Sequence, residues 1–166
     1  AQPLADGRTL SVAYAPIRDG GWVITYDDVT ERRRAQDALE EQNRRFDAAL
    51  NSMAQGLAMF DADERLIVCN EQYRTLYGLC GSVVRPGVTL RDIIAHGVDT
   101  HDHTGLTVDE LHRRSRAAIR LRQPMATQQM LRDGRTIEIV YRPMPNGGWL
   151  STFEDMSERK RVEQTI

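Results

Sequence analysis

An internal repeat constrains the fold of this chain more than any other feature of the sequence. Residues 6–39 align without a gap with residues 133–166, and 14 of the 34 aligned pairs are identical. Self-similarity of this extent means that one structural unit occurs twice. The first copy begins almost at residue 1, so we expect the chain to open inside a domain whose front half is missing. By the same offset, we expect it to stop about one turn into a second connecting helix.

The composition is that of an ordinary globular chain. It has 166 residues, of which 40% are apolar and 28% charged, and its net charge is -2. That charge gives no general attraction to nucleic acid or to an anionic membrane. No apolar run approaches the roughly 18 residues that span a bilayer, and no signal pattern opens the chain. We therefore expect a cytoplasmic location and no membrane insertion.

Two cysteines, Cys69 and Cys80, fit neither a disulfide framework nor a metal-binding spacing. We expect both to be reduced thiols, with Cys69 at the end of a strand.

The pattern of residues 51–124 predicts a hairpin followed by short helices. Two apolar stretches, 56–61 and 65–70, flank a turn-like Ala-Asp-Glu segment. Helices are predicted over 70–78, 90–96 and 108–121 because Gly78 is a common helix stop and because Thr89 and Thr107 are suitable caps.

From Met125 onward the apolar residues alternate with polar ones. The dipeptides Asp133-Gly134 and Asn146-Gly147 separate three such stretches, which predicts a three-stranded antiparallel meander. In the middle strand the odd-numbered residues 137–141 are apolar and should face the core. Two strands, several helices and three strands predict an α+β fold with the helices on one face of the sheet.

This order of segments resembles a PAS domain, the sensory module of bacterial signalling proteins. The resemblance rests on GLAMFDADERLIVCN and DGRTIEIVYRPMPNGGWLSTFEDMSER and covers residues 51–155. It implies a five-stranded antiparallel sheet with helices on one face. It also implies that residues 1–29 are the last strands of an upstream PAS domain. We expect the strands within residues 7–27 to pair across a dimer or to cover an exposed sheet of the complete domain.

The remaining segments are expected to be connections. Residues 30–50 are predicted to form a helical linker, and residues 156–166 to begin a helix that leads to a missing output domain. A parallel homodimer through the linker helices is expected because a weak coiled-coil seam follows spacings of four and three residues. The seam consists of Ala35, Leu39, Gln42, Phe46, Ala49 and Met53.

A short motif occurs where each repeat turns from strand to helix. An aspartate should cap the helix start, and a glutamate three residues later should complete a reciprocal capping box. The resemblance implies that these contacts also pass strain from the sheet to the helix. The motif residues are Asp28, Thr30, Glu31 and Arg32 in the first copy and Asp155, Ser157, Glu158 and Arg159 in the second.

A small organic ligand could occupy the space between sheet and helices, although the same side chains could simply pack the core. The candidate lining residues are Met59, Tyr73, Tyr77, Ile93, His96, Ile139 and Tyr141. The resemblance leaves haem ligation by His96 or His112 open. It argues against a flavin photoreceptor, because Cys69 is followed by Asn-Glu-Gln and not by the reactive-cysteine pattern of that class.

Catalytic signatures are missing from the sequence. It contains no Walker phosphate loop, nucleophile elbow or zinc-protease helix. The histidine-rich stretch 96–103 is the alternative that would make the chain an enzyme. Its His101 and His103 are two residues apart and point in opposite directions in an extended loop, and nothing nearby completes a metal site. No metal site and no catalytic residue is therefore predicted.

The resemblance implies a non-catalytic sensory or relay module that passes a conformational change through residues 156–166 to an attached output domain. Two outputs remain open, a cyclic-di-GMP enzyme of the GGDEF or EAL kind as the first choice and a histidine kinase as the second. A ligand-free dimerisation scaffold is a further alternative.

Overall fold

The computed structural model describes residues 1–101 and 105–164. It divides into two compact units, Ala1–Ala48 and Ala49–Ile166, and each is considered by itself. His103 of the predicted histidine-rich stretch lies outside the described residues.

The first unit is built on a small antiparallel sheet. Its strands are β1 (Gln2–Pro3), β2 (Thr9–Pro16) and β3 (Trp22–Asp28), in the order β1-β2-β3. The strands within residues 7–27 therefore pair with one another. Tyr14 lies opposite Ile24 in this sheet, and since directly opposite residues share a face, the apolar side chains gather on one side. Both Tyr14 and Trp22 on that side are 68% exposed.

A long helix, α1 (Thr30–Asn51), follows β3 directly. Its sequence is rich in Glu, Arg, Gln and Ala, which have high helix propensity, and Arg44 and Arg45 both pair with Glu41 on its surface. Leu39 and Phe46 of the predicted seam are 58% and 55% exposed.

The predicted seam is one residue too long, because Met53 lies beyond the last helical residue. The helix ends where its final groups are held by another segment. The Leu50 carbonyl accepts a hydrogen bond from Asn70, and the Asn51 side chain accepts one from the backbone N–H of Glu71. These contacts turn the chain before Met53.

The second unit contains a five-stranded antiparallel sheet, as the sequence predicted. Its order is β5-β4-β8-β7-β6, so that the last strand, β8, lies between the first hairpin and the middle strand of the meander. The strands are β4 (Gly56–Phe60), β5 (Leu66–Cys69), β6 (Met125–Met130), β7 (Thr136–Pro143) and β8 (Trp149–Asp155).

Three helices separate the two parts of this sheet in sequence. They are α2 (Glu71–Tyr77), α3 (Leu90–His101) and α4 (Val108–Arg120). The predicted stop of α2 is confirmed, since Gly78 adopts φ 61°, a left-handed conformation that favours glycine. The predicted caps are also confirmed, because Thr89 and Thr107 accept from the N–H groups of Asp92 and Glu110. The predicted end of α3 is wrong: it continues past residue 96 because its apolar side, including Val98, stays on the packed interior.

The core lies between one face of the sheet and the helices. Ile137, Ile139 and Tyr141 of β7 are buried, whereas Glu138 and Val140 between them are only half-buried, which confirms the predicted alternation. The largest side chains with almost no exposure are Phe60, Leu66, Ile93 and Ile137. This face of the sheet also forms one wall of an interior cavity.

The last described element is α5 (Ser157–Gln164), which starts two residues after β8 ends. Among the helices that the structure describes, none is both long enough and apolar enough to cross a bilayer.

Candidate functional site

A cavity of about 100 Å³ lies in the interior of the second unit, between the sheet and helices α2, α3 and α4. Strands β4, β6, β7 and β8 supply one side and the helices the other. The lining residues are Phe60, Tyr73, Tyr77, Leu79, Leu90, Ile93, Ile94, Gly97, Val98, Leu111, Ser115, Gln129, Ile139, Tyr141, Trp149, Ser151 and Phe153.

Aromatic rings form much of the cavity wall. Phe60 stacks on Trp149 with ring centroids 4.9 Å apart. Tyr73 packs on Phe153 at 4.6 Å, and Tyr77 meets the edge of Phe153 at 5.7 Å. Offset and edge-to-face pairs of this kind hold each ring in a defined orientation. The wall is therefore ordered rather than a loose apolar gap.

Polar groups are set into this aromatic wall at separate points. The Tyr77 hydroxyl donates to Gln129 Oε1 at 3.0 Å, and the Tyr141 hydroxyl donates to Ser115 Oγ at 3.5 Å. Tyr73 and Ser151 are 5% and 1% exposed. Within the described parts of the chain, neither of their hydroxyl groups has a hydrogen bond to another residue. Both residues line the cavity, so their hydroxyl groups are available to a guest molecule.

The tyrosines of the cavity are neutral over the physiological range. Burial raises the pKa of Tyr73 and Tyr77 well above the ordinary value, and it also raises the pKa of Tyr141. Each phenol therefore keeps its proton and can donate as well as accept a hydrogen bond.

Five of the seven predicted pocket residues line the cavity: Tyr73, Tyr77, Ile93, Ile139 and Tyr141. Met59 and His96 do not. Met59 is adjacent to Phe60 in β4, and because neighbouring strand residues point to opposite faces, it lies on the far side of the sheet. His96 lies on α3 with its ring turned to the loop that precedes this helix, where Nε2 accepts from the Cys80 backbone N–H at 3.3 Å.

The polar lining residues Ser115, Gln129 and Ser151 were not predicted from the sequence. Gln129 could have been found from the alternation of β6, in which residues 125, 127 and 129 are the more buried ones. A polar residue in that inward series indicates a contact with other polar groups. Ser151 occupies the corresponding inward position on β8.

His112, the second haem candidate, is also away from the cavity. Its Nε2 lies 2.6 Å from Glu64 Oε2, and the other carboxylate oxygen pairs with Arg116 Nε at 2.9 Å. This cluster holds the β4–β5 turn to α4. No histidine and no cysteine is found among the described residues that line the cavity, and no group of three possible metal ligands occurs among the residues described.

The two cysteines are free, and Cys69 ends strand β5 as predicted. Burial raises the pKa of the Cys69 thiol, which favours its protonated, unreactive form.

Asn70 connects the end of α1 to the wall of the cavity. Its side chain is fully buried, and its Oδ1 accepts from the N–H groups of Leu57 and Tyr73 at 2.8 and 3.1 Å. Its Nδ2 donates to the carbonyls of Leu50 and Gln55 at 3.0 and 2.9 Å. One side chain thus joins the last turn of α1, the strand β4 and the first turn of α2.

The strand-to-helix junction at the end of β8 differs from the predicted capping box. Asp155 Oδ1 accepts from the backbone N–H and the hydroxyl of Ser157, at 2.9 and 2.5 Å. The Ser157 Oγ in turn accepts from the backbone N–H of Thr136, the first residue of β7, at 3.0 Å. Glu158 makes no such contact with the Asp155 backbone in the described structure, because that backbone belongs to the β-ladder opposite Ile137.

The first copy of the repeat forms the same junction. Asp28 Oδ1 accepts from Thr30 N–H at 3.0 Å, and Thr30 Oγ1 accepts from Thr9 N–H at 2.9 Å. Hydrogen bonds from Thr30 lower the pKa of Asp28. The hydroxyl at this position therefore ties the start of a helix to the neighbouring strand, a contact that the predicted capping box did not include.

A five-stranded antiparallel sheet with short helices over one face and a cavity beneath them is the architecture of a small sensory domain. A family model described as the PAS fold matches residues 2–37 and 50–164. The chain belongs to this family, as its sequence resemblance implied.

Two relatives come from Caulobacter vibrioides. The chain is 23% identical to the Sensor protein DivL over 163 residues, which cover 98% of this chain and 21% of that protein. It is 27% identical to a Non-motile and phage-resistance protein over 137 residues, which cover 82% of this chain and 15% of the relative. The chain thus spans about a fifth or less of the length of these relatives.

A solved structure shares the fold. The PAS domain from Bordetella pertussis BvgS superimposes with a TM-score of 0.52 at 15% identity and covers 75% of this chain and 93% of that chain. Together, the family match and the relatives show a PAS sensory module of signalling proteins.

Proposed function

We propose that this chain is a non-catalytic sensory and relay module that converts a change in the cavity of the second unit into a change in α5. The observation that carries this proposal is that the cavity and the start of α5 share two strands. Tyr141 of β7 and Phe153 of β8 line the cavity. Asp155 at the end of β8 and Thr136 at the start of β7 both hold Ser157.

A guest that alters the spacing of β7 and β8 would therefore shift the first turn of α5. Ser157 is hydrogen-bonded both to Asp155 of β8 and to Thr136 of β7. These two strands therefore have little freedom to move without the first turn of α5. A sensory response of this kind needs two packings that differ by only a few kcal/mol, and these packings are biased by a ligand or by a neighbouring domain.

A signal that arrives through helix α1 would reach the cavity by a second route. The Leu50 carbonyl, in the last turn of α1, bonds to Asn70, whose Oδ1 accepts from the backbone of Tyr73. Tyr73 lines the cavity. A rotation of α1 would therefore reach the same cavity wall that a ligand contacts, which supports a relay as well as a sensor.

We further propose that residues 1–29 belong to an upstream PAS domain, that residues 30–50 link it to the PAS domain of residues 51–155, and that residues 156–166 lead to an output domain. The match of the PAS family model to residues 2–37 supports the first of these assignments.

The output is the least constrained part of the proposal. The sequence left a cyclic-di-GMP enzyme and a histidine kinase open. The relative that covers nearly the whole chain is a sensor protein, and neither Caulobacter relative is named as a cyclic-di-GMP enzyme. We therefore place the histidine kinase first. Assays of the full-length protein for autophosphorylation and for cyclic-di-GMP synthesis or hydrolysis separate the two outputs.

Hydrogen–deuterium exchange tests the relay directly. Ser115→Phe places a ring in the cavity, and Ala117→Phe places the same ring at an exposed position of the same helix. We expect Ser115→Phe to change amide exchange in α5 and Ala117→Phe to leave it unchanged. The double variant with Ser157→Ala should lose the response. If α5 exchange is the same in Ser115→Phe and in the parent chain, the relay proposal is wrong.

A further inference from the structure

The turn between β4 and β5 contains a residue in an unusual backbone conformation. Glu64 adopts φ 62°, in the left-handed region where residues other than glycine are uncommon. A residue with a Cβ atom is strained there, and such strain persists only where other contacts hold the residue in place. The contacts of Glu64 should therefore explain why a glutamate occupies this position.

The same five-residue turn occurs four more times in the described parts of the chain. In every case the N–H of the first residue donates to the carbonyl of the fifth, and the N–H of the fourth donates to the carbonyl of the first. The other four turns have glycine at the fourth position, with φ between 83° and 89°. They span residues 4–8, 17–21, 131–135 and 144–148. Glycine is thus the usual residue at this position of the turn, and Glu64 is the exception.

The Glu64 side chain makes two polar contacts with α4. Its Oε2 lies 2.6 Å from His112 Nε2, and its Oε1 lies 2.9 Å from Arg116 Nε. His112 and Arg116 are four residues apart and therefore lie on the same side of the helix. The side chains of His112 and Glu64 are 14% and 24% exposed, so water screens their pairing less than it screens a surface ion pair. A glycine at position 64 could make neither contact.

Helix α4 has little buried apolar surface of its own. All of α4 lies in the described part of the chain, and its only buried residue is Ala118. Its other apolar residues are half-buried or exposed. By comparison, α2 buries Tyr73 and Leu76. Because stabilisation by burial scales with the apolar area removed from water, an alanine methyl contributes far less than these larger side chains. The attachment of α4 therefore depends more on polar contacts than that of α2.

The backbone of Glu64 holds α3 separately from α4. Its carbonyl accepts a hydrogen bond from the N–H of Leu90, the first residue of α3, at 2.8 Å. This bond does not involve the side chain, so a replacement of the carboxylate leaves it in place. The turn thus holds α3 through its backbone and α4 through one side chain.

We propose that Glu64 is a latch that holds α4 against the sheet, and that α4 is the part of the second unit that detaches when this latch opens. Leu111 and Ser115 face the interior from α4, so detachment opens the unit on that side while the sheet and α3 stay in place. Local openings of this kind need less free energy than global unfolding. The inference goes beyond the proposed relay and does not require it, because the latch acts on α4 and the relay on α5.

Hydrogen–deuterium exchange of the 166-residue chain tests the latch. Glu64→Gln keeps the size of the side chain and removes its charge, and Arg116→Ala removes one partner. Each should raise amide exchange in α4 about tenfold, as expected for the loss of one hydrogen bond to a charged group, and leave exchange in α3 unchanged. Arg114→Ala is the matched control, because Arg114 is 63% exposed and pairs with Glu110 within the same helix. It should leave α4 exchange unchanged.

Two further variants separate the latch from the turn itself. Glu64→Gly relieves the backbone strain but removes the carboxylate, so it should raise α4 exchange as Glu64→Gln does. Gly134→Glu places a glutamate at the same position of an equivalent turn, where a Cβ atom meets no other atom within 4 Å. It should lower the midpoint of urea denaturation without a selective change in α4 exchange, because strain is added and no latch is lost.

Three results would overturn the inference. One is unchanged α4 exchange in both Glu64→Gln and Arg116→Ala. Another is an equal rise of exchange in α4, α3 and the sheet, which would mean a general loss of stability. The third is slower α4 exchange in Glu64→Gly, since the side chain would then add strain without holding the helix.

Failure of the latch can be told apart from failure of the proposed relay. Faster α4 exchange in Glu64→Gln, combined with unchanged α5 exchange in Ser115→Phe, would retain the latch and reject the relay. The opposite pair of results would retain the relay and reject the latch.

Discussion

The hydroxyl oxygen of Ser157, the first residue of α5, accepts a hydrogen bond from the backbone N–H of Thr136, the first residue of β7, at 3.0 Å. Thr30 and Thr9 repeat this relationship in the first unit at 2.9 Å. The two residues of each pair are separated by 21 positions in the sequence. The bond thus joins a helix to a strand that is not adjacent to it along the chain, which is the connection that a relay from sheet to helix requires.

Loss of this bond should weaken the junction. Ser157→Ala removes the acceptor of the Thr136 N–H and the hydroxyl that donates to Asp155. We expect the free energy of unfolding to fall by about 1 to 2 kcal/mol, measured by urea denaturation followed by circular dichroism.

Ser157→Thr is the matched control, since the first copy of the repeat has a threonine at the equivalent position 30. It should retain most of the stability. Equal destabilisation by alanine and threonine would mean that the hydroxyl is not what stabilises the junction.

Asn70 should be among the most sensitive polar residues of the second unit. Asn70→Ala removes two acceptor and two donor contacts in a fully buried position and leaves backbone groups without partners. We expect a loss of at least about 3 kcal/mol, measured by urea denaturation.

Asn51→Ala provides a comparison at the same joint, because it removes a single exposed hydrogen bond to Glu71. Its cost should be below about 1 kcal/mol. Asn70→Asp keeps the acceptor but places a buried carboxylate oxygen against the carbonyls of Leu50 and Gln55, so it should be no more stable than Asn70→Ala. A similar small loss for Asn70→Ala would contradict the role described for this side chain.

The buried tyrosines should give the protein an alkaline limit. Burial raises the pKa of Tyr73, Tyr77 and Tyr141 above the ordinary value of about 10. Because the folded state holds these protons more tightly than the unfolded state, stability is complete below about pH 10 and decreases as the pH rises above that value.

Absorbance at 295 nm during an alkaline titration checks this prediction. Three of the five tyrosines should remain protonated until the second unit unfolds, and their ionisation should coincide with loss of the circular dichroism signal. Smooth ionisation of all five near pH 10 in a folded protein would contradict it. Tyr73→Phe should reduce the delayed step by one tyrosine.

The dimer remains a prediction that the exposed apolar side chains of α1 favour. Leu39 and Phe46 are seven residues apart, two turns along one side of the helix, and both are more than half exposed. If they form the seam, Phe46→Glu should shift the chain from dimer to monomer in analytical ultracentrifugation at tens of micromolar.

Arg44→Glu is the control for this experiment, because it changes the charge of the same helix at a position outside the seam. It should leave the dimer intact. A monomeric parent chain, or equal effects of the two variants, would reject the seam.

Local patterns in the sequence were sufficient to predict most of the secondary structure. The hairpin, the meander and the caps of α3 and α4 depend on backbone preferences and on hydrogen bonds within three or four residues, and these are visible in the order of residues. The end of α1 was not predictable in this way, because it depends on contacts with Asn70 and Glu71 about 20 positions away.

The candidate site was predictable only in part for a related reason. Tyr73, Tyr77, Ile93, Ile139 and Tyr141 were found because large side chains on inward-facing positions must meet. Met59 was included because it is a large apolar residue, whereas the regular alternation of β4 places Phe60 on the cavity side and Met59 on the other. His96 was included for its chemistry, whereas the tertiary structure turns it toward Cys80.

The sequence by itself determined that this chain contains a repeated strand-to-helix unit and an α+β domain, because periodicity and turn residues act over short distances. Only the tertiary structure decided which hydroxyl groups meet in the cavity and which strand the junction serine holds. Those contacts join residues far apart in the chain, and their geometry depends on how the sheet and helices pack together.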